Sequence, residues 1–336
     1  MQISKRFILS VLCFLLTLIL LSALILYPVY HYELNDYRDA NLRMSLVGQI
    51  DYLFLGASHG YTSYQPNTVD AELGNFSYNL SSPLMDWDSK IYMLEKELTR
   101  NPVKHVAIEI SYNALSRDET KEFAEGPAVT VQRLDSFGEV LQFMLKHVNV
   151  NDWLNIYSRL LAMGLSQWLD LIQGDTSQQI CYENRGFHDT VTNVIRLEEI
   201  SATQVHASYL SENVQKLEQM IQMCKDMQVA YSIVVVPLSD AYLYASEGWD
   251  DFYAYMQAFC QEHNCELYDF NLLRDRYTIF SDTSSFFDIV HLSNQGAMAF
   301  SKAYAGVMKR VMNGESIDDL FYGSYQEMLL DSPYAK

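Results

Sequence analysis

The chain has 336 residues, of which 49% are apolar, and a formal net charge of −19. That length allows one large or two ordinary domains with a sizeable core, and the apolar content excludes a disordered protein. The acidic balance argues against nucleic acid as a partner, because phosphate backbones are bound by clustered Lys and Arg and the sequence contains no such cluster. The 24 tyrosines are compatible with stacking on sugars and equally with ordinary core and surface positions.

The amino-terminal segment predicts a membrane anchor. Residues from Phe7 to Tyr27 are almost wholly apolar, and about 20 apolar residues cross a bilayer as a helix. Lys5 and Arg6 precede the run, whereas acidic residues predominate after it, so the amino terminus is expected in the cytoplasm and the body outside the cell. A cleaved signal peptide is the alternative. The uncleaved, single-pass anchor in the cell membrane is favoured because the apolar run exceeds the usual signal-peptide length of about 7–15 residues.

The chain divides into predicted segments with distinct patterns. They are a cytoplasmic tail at 1–6, the anchor at 7–29, a polar linker at 30–48, an α/β domain at 49–314 and a C-terminal tail at 315–336. Within the α/β domain five short apolar strands alternate with helical patterns; the strands are Tyr52–Leu55, Phe76–Leu80, Lys104–Ser111, Ala230–Leu238 and Glu266–Phe270. This alternation predicts a five-stranded parallel sheet in a three-layer α/β/α sandwich with right-handed crossovers.

The alternation is interrupted at about 117–207, which predicts a helical insertion packed over the sheet. Residues 153–172 have the apolar spacing of an amphipathic helix. Packing in the core is favoured for its apolar side chains, and contact with the membrane surface is the alternative for Trp153, Leu154, Tyr157, Leu160 and Leu161.

Two residues near the carboxyl end of the domain can complete a site with Ser58. Ser58 follows the first strand in the turn GASHG, and Asp288 and His291 lie in the loop between the fifth strand and the last helix. In a parallel sheet the loops that follow strands share one edge, so these three residues can meet. A serine hydroxyl needs a base to become a nucleophile, and the base needs a group that fixes its tautomer. The sequence therefore predicts a Ser58–His291–Asp288 triad.

Three blocks of the sequence resemble the SGNH, or GDSL-like, hydrolase superfamily, whose fold is similar to flavodoxin. They are the GASHG turn, the Asn79-Leu80-Ser81-Ser82 turn and the Asp288-x-x-His291-Leu292-Ser293 segment. The resemblance covers Asp51 to about Val311 apart from the insertion. The anchor and the extracellular body are most similar to the membrane-anchored polysaccharide O-acylation proteins and to the D-alanyl transfer protein of the teichoic acid pathway.

The resemblance implies Ser58 as the nucleophile, His291 as the general base and Asp288 as its orienting partner. It also implies an oxyanion hole formed by backbone N–H groups at Ser58 and at Ser81 or Ser82. Where the family has glycine in its second block and Gly-x-Asn-Asp in its third, this chain has serines and then EISYN. Asn113, in that third block, is the candidate side-chain donor.

The remaining site predictions concern substrate and metal. His59, beside the nucleophile, is a candidate for substrate contact or a filler of the turn. No cofactor is expected. No metal site is expected either, because neither the cysteines nor other His, Asp and Glu residues have the spacing of a ligand set.

Two functions follow as expectations. The first is a membrane-anchored extracellular serine esterase or acyltransferase that acts on acyl esters of cell-surface glycans, with a membrane-bound O-acyltransferase as the partner that the resemblance implies for transfer. The second is a non-catalytic glycan-binding or scaffolding component of an envelope assembly.

Overall fold

A computed structural model of the protein describes residues 5–31, 48–118, 125–173, 184–205 and 208–335. The described residues belong to two compact units. The smaller contains residues 5–31 and 130–173, and the larger contains the others. The predicted linker at 30–48 lies almost wholly outside the described residues.

The larger unit is built on a five-stranded parallel sheet, which confirms this part of the predicted fold. Its strands follow the spatial order β2-β1-β3-β4-β5. The strands are β1 (Ile50–Leu55), β2 (Ser77–Asn79), β3 (Val103–Glu109), β4 (Ala230–Val235) and β5 (Glu266–Asp269). Each overlaps one of the five strands predicted from the sequence.

Helices connect these strands and form the smaller unit. In chain order they are α1 (Lys5–His31), α2 (Ser58–Ser63), α3 (Pro66–Leu73), α4 (Trp87–Arg100), α5 (Gly126–Val131), α6 (Phe137–His147), α7 (Trp153–Gln173), α8 (Ser211–Asp226), α9 (Asp240–Ala245), α10 (Trp249–His263), α11 (Arg276–Ile279), α12 (Asn294–Met312) and α13 (Tyr325–Leu330).

Helix α12 begins and ends at residue types that are typical of helix caps. The Ser293 side chain accepts a hydrogen bond from the Gly296 N–H at 3.3 Å, as an N-cap residue does. Beyond its last residue, Gly314 has a φ of +70°, a left-handed conformation that glycine adopts at little cost at helix ends.

Helix α4 begins four residues after Pro83. Proline is favoured at the first helical position, but the helix starts at Trp87 because the carboxylate of Asp86 caps it, accepting from the Ser89 N–H at 2.8 Å.

Both faces of the sheet are buried, as the unbroken apolar strands predict. On one face Phe54 stacks on Tyr64 with the ring centroids 4.1 Å apart, and Tyr304 of α12 meets Phe54 edge-on at 5.5 Å. On the other face Leu53 and Ile108 are fully buried. Burying an aromatic or aliphatic side chain of this size stabilises a fold by about 1.5–3 kcal/mol.

The segment predicted as a helical insertion has two parts. Residues 126–173 are largely helical, but residues 184–205 contain only a short 3-10 turn and otherwise run as irregular chain. Its sequence explains this, since β-branched residues and Asn, which have low helix propensity, recur between Thr190 and Ile195. Backbone hydrogen bonds instead tie the segment to residues 282–286, from Asn193 N–H to Phe286 O at 2.9 Å and from Ile195 N–H to Asp282 O at 2.7 Å.

Helix α1 is long and apolar enough to cross a membrane. Residues Lys5–Tyr30 have a mean hydropathy of 2.9 over their most apolar window, which confirms the predicted helix of the anchor. Helix α7 of the same unit packs against α1.

The turn after β1 requires glycine for space. A Cβ on Gly56 would lie 2.4 Å from the Glu109 Oε2 and 2.6 Å from the Glu109 Cβ, at the end of the neighbouring strand β3. Because the backbone of one strand end passes directly over a buried side chain of the next, any larger residue must displace the turn.

We expect Gly56→Ala to lower the free energy of unfolding by about 1–3 kcal/mol, the usual cost of overpacking. Gly306→Ala is the matched control. Gly306 is exposed in α12 and a Cβ there meets nothing within 4 Å, so alanine should raise stability by about 0.5–1 kcal/mol. Denaturant unfolding of the full chain in detergent measures both changes; equal stability of the two variants would contradict the crowding at Gly56.

Candidate active site

Ser58, His291 and Asp288 form one continuous hydrogen-bonded chain. The His291 Nε2 lies 2.8 Å from the Ser58 Oγ, and the His291 Nδ1 lies 2.7 Å from the Asp288 Oδ2. An ionised carboxylate only accepts hydrogen bonds, so the Nδ1–H donates to Asp288 and the Nε2 is left to accept from the serine hydroxyl. The structure brings together the three residues predicted as a triad.

A tight loop sets the geometry of the acidic partner. The Asp288 Oδ1 accepts hydrogen bonds from the backbone N–H groups of Val290 at 2.9 Å and His291 at 2.8 Å, and the Phe287 N–H donates to the His291 carbonyl at 2.8 Å. Burial acts to raise the pKa of the Asp288 carboxyl, but the hydrogen bonds and charge of His291 and the two backbone donors hold that pKa below its usual value. Asp288 is therefore ionised at neutral pH.

Ser58 is the first residue of the short helix α2, directly after β1. The Ala57 carbonyl accepts from the Tyr61 N–H at 3.0 Å, so the turn passes into the helix without a break. The first N–H groups of a helix have no acceptor within it, and this turn supplies one from the sheet: the Ala57 N–H donates to the Glu109 Oε2 at 3.0 Å. The Gly60 N–H also hydrogen-bonds to the Glu109 carboxyl.

Glu109 lies beneath the serine turn and is 1% exposed. Burial raises the pKa of its carboxyl, against the opposing effects of the Lys90 charge and of the two backbone hydrogen bonds. Its position at the end of β3 explains Gly56 of the GASHG turn, because a Cβ there would overlap Glu109, whereas Gly60 is explained by Ser81, whose Oγ would lie 2.6 Å from a Cβ.

Asn79 fixes the same helix from β2. Its fully buried side chain donates to the carbonyl of Gly60 at 2.9 Å and to that of Tyr64 at 3.1 Å. Its Oδ1 accepts from the Ser81 N–H at 3.1 Å. One side chain thus ties the helix that carries Ser58 to the turn of the second block.

His59 lies behind the triad. Its side chain is almost wholly buried, and its ring meets the His291 ring edge-on with the centroids 5.0 Å apart. Burial lowers the pKa of His59 to about 3, so the ring is neutral at physiological pH. Its Nδ1 faces the Glu109 Oε1 at 3.8 Å, which is too long for a hydrogen bond. This geometry fits the turn-filling alternative for His59, which is not among the described residues that line the pocket.

The three oxyanion candidates differ in their surroundings. The Ser81 N–H is already donated to Asn79, and Ser82 is buried with its hydroxyl 3.5 Å from the Pro83 carbonyl. Asn113 accepts from the Ser111 hydroxyl at 3.2 Å. Among the described residues that line the pocket at Ser58, none of these three appears.

A pocket of about 430 Å³ opens beside the triad. It contains the three triad residues, the α2 residues Tyr61 and Thr62, Pro83 and Phe287, and the chain segment 188–191. The ring of His188 stacks on that of Tyr61 at 4.9 Å and 8°, and Thr190 holds the segment in place by donating to the Leu292 carbonyl at 2.7 Å. The wall is mainly apolar and aromatic beside a small number of polar groups, as in pockets that bind small molecules.

Sequence reasoning missed two contributors to this site. Glu109 lies in the third block, and the available signal was an acidic residue within the otherwise apolar run Val106–Ile110 at the end of a predicted strand. The wall at 188–191 fell inside the predicted helical insertion. No local pattern marks these residues as site residues, because their place depends on pairing with residues about 95 positions later in the chain.

Within the residues that the structure describes, no group of three or more His, Cys, Asp and Glu side chains could hold a metal ion. Comparison with protein-family models finds no match, and comparison with curated proteins finds no significant relative. Fold and site together define a parallel α/β protein with a Ser–His–Asp arrangement at the carboxyl edge of its sheet.

We expect Glu109→Ala to disturb the serine turn and Glu109→Gln to preserve it. Alanine leaves the buried N–H groups of Ala57 and Gly60 without an acceptor, at about 1–3 kcal/mol for each such group, whereas the glutamine carbonyl can replace the Oε2. The two variants are compared by denaturant unfolding and by the rate at which a fluorophosphonate labels Ser58. Equal loss in both variants would show that the negative charge of Glu109, rather than its acceptor oxygen, is what the turn needs.

Proposed function

We propose that the protein is a serine esterase or O-acyltransferase of the SGNH type, with the three-layer α/β/α sandwich of that superfamily. Its substrates are acyl esters of cell-surface polysaccharide. The observation that carries the proposal is the unbroken path from Asp288 through His291 to Ser58, with distances of 2.7 and 2.8 Å, at the mouth of a pocket.

The reaction proceeds in two steps. The Ser58 Oγ attacks the carbonyl carbon of the donor ester while His291 Nε2 takes the hydroxyl proton, and Asp288 stabilises the imidazolium that forms. Collapse of the tetrahedral intermediate breaks the bond to the leaving alcohol, which receives the proton from His291, and leaves an acyl group on Ser58. A sugar hydroxyl or water then gives its proton to His291 Nε2 and attacks the acyl carbon. Collapse of this second intermediate breaks the bond to Ser58 Oγ, which takes the proton back from His291.

The candidate oxyanion donor is inferred by excluding the backbone N–H groups that already donate a hydrogen bond within the protein. Glu109 accepts from Ala57 and Gly60, and Asn79 accepts from Ser81. The Ser58 N–H, in the first turn of α2, has no intrahelical acceptor and is our candidate donor. Donors aimed at developing charge contribute about 3 kcal/mol each to the transition state.

The pocket supports an acyl ester of a sugar as the substrate class. A volume of about 430 Å³ is near the lower end of the range of about 300–1,000 Å³ for small-molecule sites, and the stacked Tyr61 and His188 rings offer an apolar face on which a sugar ring can pack. Helix α1 would retain the protein in the membrane with its amino terminus in the cytoplasm and its body outside. For transfer, we propose that a membrane-bound O-acyltransferase supplies the acyl group.

We expect Ser58→Ala to abolish acyl-enzyme formation. Removal of a triad nucleophile typically lowers kcat by about 10⁶-fold. The full chain in detergent, incubated with p-nitrophenyl acetate, is analysed by mass spectrometry for an acetyl increment on the Ser58 peptide. Ser316→Ala is the matched control, since Ser316 is an exposed serine remote from the pocket in sequence. Equal product release by wild type and Ser58→Ala, without labelling of Ser58, would rule out the esterase.

Asp288→Asn should slow acylation by about 10⁴-fold, as expected when the partner of the base can no longer stabilise an imidazolium. The change leaves the side-chain volume nearly unchanged and Asp288 is half exposed, so stability should change little. The initial rate of acyl-enzyme formation measures the effect. Unchanged acylation in this variant would mean that His291 does not act as a base oriented by Asp288.

A second candidate function is a non-catalytic glycan-binding component of an envelope assembly. It is favoured by one observation: the Ser81 N–H, expected in the oxyanion hole, is donated to Asn79 instead. A protein of this kind would bind polysaccharide equally well before and after Ser58→Ala and would form no acyl-enzyme.

A further inference from the structure

Helix α7 contacts α1 inside the apolar run of α1. The Trp168 Nε1–H donates to the Leu24 carbonyl at 2.9 Å, and a Cβ on Gly164 would lie only 2.4 Å from the Ile25 carbonyl oxygen. The hydroxyl groups of Ser22 and Tyr157 also hydrogen-bond. All three α1 residues lie within Lys5–Tyr30, the stretch that is apolar enough to span a membrane.

The absence of a side chain at Gly164 lets the two helix backbones approach closely. Small residues at such a crossing are typical of helix pairs in membranes. The contact with Trp168 satisfies the indole N–H on a backbone carbonyl of α1, so this polar group needs no water. The face of α7 that meets α1 is therefore compatible with an environment that offers no other hydrogen-bond partners.

Another face of α7 is apolar and exposed. Leu154 and Ile172 are each 77% exposed, Leu169 is 57% exposed and Leu165 is 53% exposed. At about 100° per residue these four positions fall within a stripe of about 60° on the helix surface. They lie along one side of the helix, where the exposed Ser158 is the one polar residue between Leu154 and Leu165, and we call these four apolar residues the α7 stripe.

The other exposed residues of α7 are uncharged. They are Asn155, Ser158, Ala162, Ser166 and Gln173. The charged residues of the helix, Arg159 and Asp170, lie off this face and are half-buried. In a chain with 23 basic and 42 acidic residues, an exposed helix face of 21 residues' length without a charge is unlike an ordinary solvated surface.

We propose that the α7 stripe lies in the lipid bilayer, as a second membrane-contacting element beside α1. Because α7 crosses α1 at residues 22–25, the stripe is at the depth of the carboxyl-terminal part of the α1 span. The α1 residues Leu21 and Leu24, at this crossing, are 52% and 59% exposed and would contact lipid as well. The backbone of α7 can lie at this depth because its N–H and C=O groups bond within the helix.

This inference rests on the membrane location of α1 in the proposed function, but not on the enzymatic activity. It also has a structural consequence. A single helix leaves the unit that carries it free to rotate about the membrane normal and to tilt, whereas a second helix crossing the first and held in lipid fixes the tilt of the smaller unit.

The test is photocrosslinking of the full chain reconstituted in phosphatidylcholine vesicles. A diazirine-bearing amino acid is introduced singly at position 165 or 169 by amber suppression, and irradiation products are identified by mass spectrometry. We expect lipid adducts to exceed water adducts severalfold at both positions. The substitution replaces one bulky apolar side chain by another at an exposed site, so folding is retained.

Two further positions serve as controls. Leu20 of α1, 61% exposed, should give lipid adducts whether or not the inference holds, and Leu330 of α13, 74% exposed, should give water adducts. Lipid adducts at 20 with water adducts at 165 and 169 would overturn the inference while leaving the anchor intact. Water adducts at 20 would overturn both. Protein–protein crosslinks at 165 and 169 in place of lipid adducts would assign the stripe to a second copy of the chain and would also overturn it.

Discussion

The carboxyl group of Glu109, buried at the end of the central strand β3, is the contact on which the serine turn depends. It accepts backbone hydrogen bonds from Ala57 and Gly60, and its side chain fills the space over which Gly56 passes. A buried carboxyl group without such partners would cost several kcal/mol. Here backbone N–H groups of the turn donate to one carboxyl oxygen, and that oxygen is their acceptor. Strand β3, the turn and helix α2 are therefore stabilised together.

The electrostatics of the site follow from this arrangement. Burial keeps His59 neutral and raises the pKa of Glu109, so the layer behind His291 favours neutral groups. In front, Asp288 is half exposed and its pKa is held low. An imidazolium formed at His291 would therefore be stabilised mainly by one carboxylate, placed on the side of the ring opposite to Ser58. Because the Nδ1 side of the ring is held by Asp288, the Nε2 side faces the serine.

The sequence was most informative where a local pattern of apolar residues could be combined with a general rule of sheet topology. The apolar runs predicted five strands, and parallel pairing then placed Ser58 and the loop of Asp288 and His291 at one edge, 233 residues apart in the chain. The first step uses the apolar runs, which short stretches of sequence show. The second uses a general rule for the connections of parallel sheets. A local pattern marks Ser293 as an N-cap but leaves the start of α4 open, because a proline and an aspartate within four residues are both acceptable helix starts.

What the sequence could not predict depends on pairing between distant segments. The wall at 188–191 has no periodicity and is held by residues near 286 and 292, so no local window contains its partner. The surroundings of the oxyanion candidate Ser81 were hidden for a related reason, since its N–H donates to the Asn79 side chain two residues earlier. The role of Asn79 becomes visible only when α2 lies against β2.

The amphipathic helix α7 illustrates how one periodicity allows two environments. The spacing of its apolar residues is equally suited to a protein core and to a membrane surface, and the sequence alone favoured the core. The described structure separates its apolar residues into two sets, since Leu160 is 1% exposed whereas Leu154 is 77% exposed. A core helix of a soluble protein would bury both sets. The contacts of α7 with α1 are made within an apolar span, so lipid can cover the exposed set. A position beside α1 in the membrane then accounts for both the buried and the exposed apolar residues of α7.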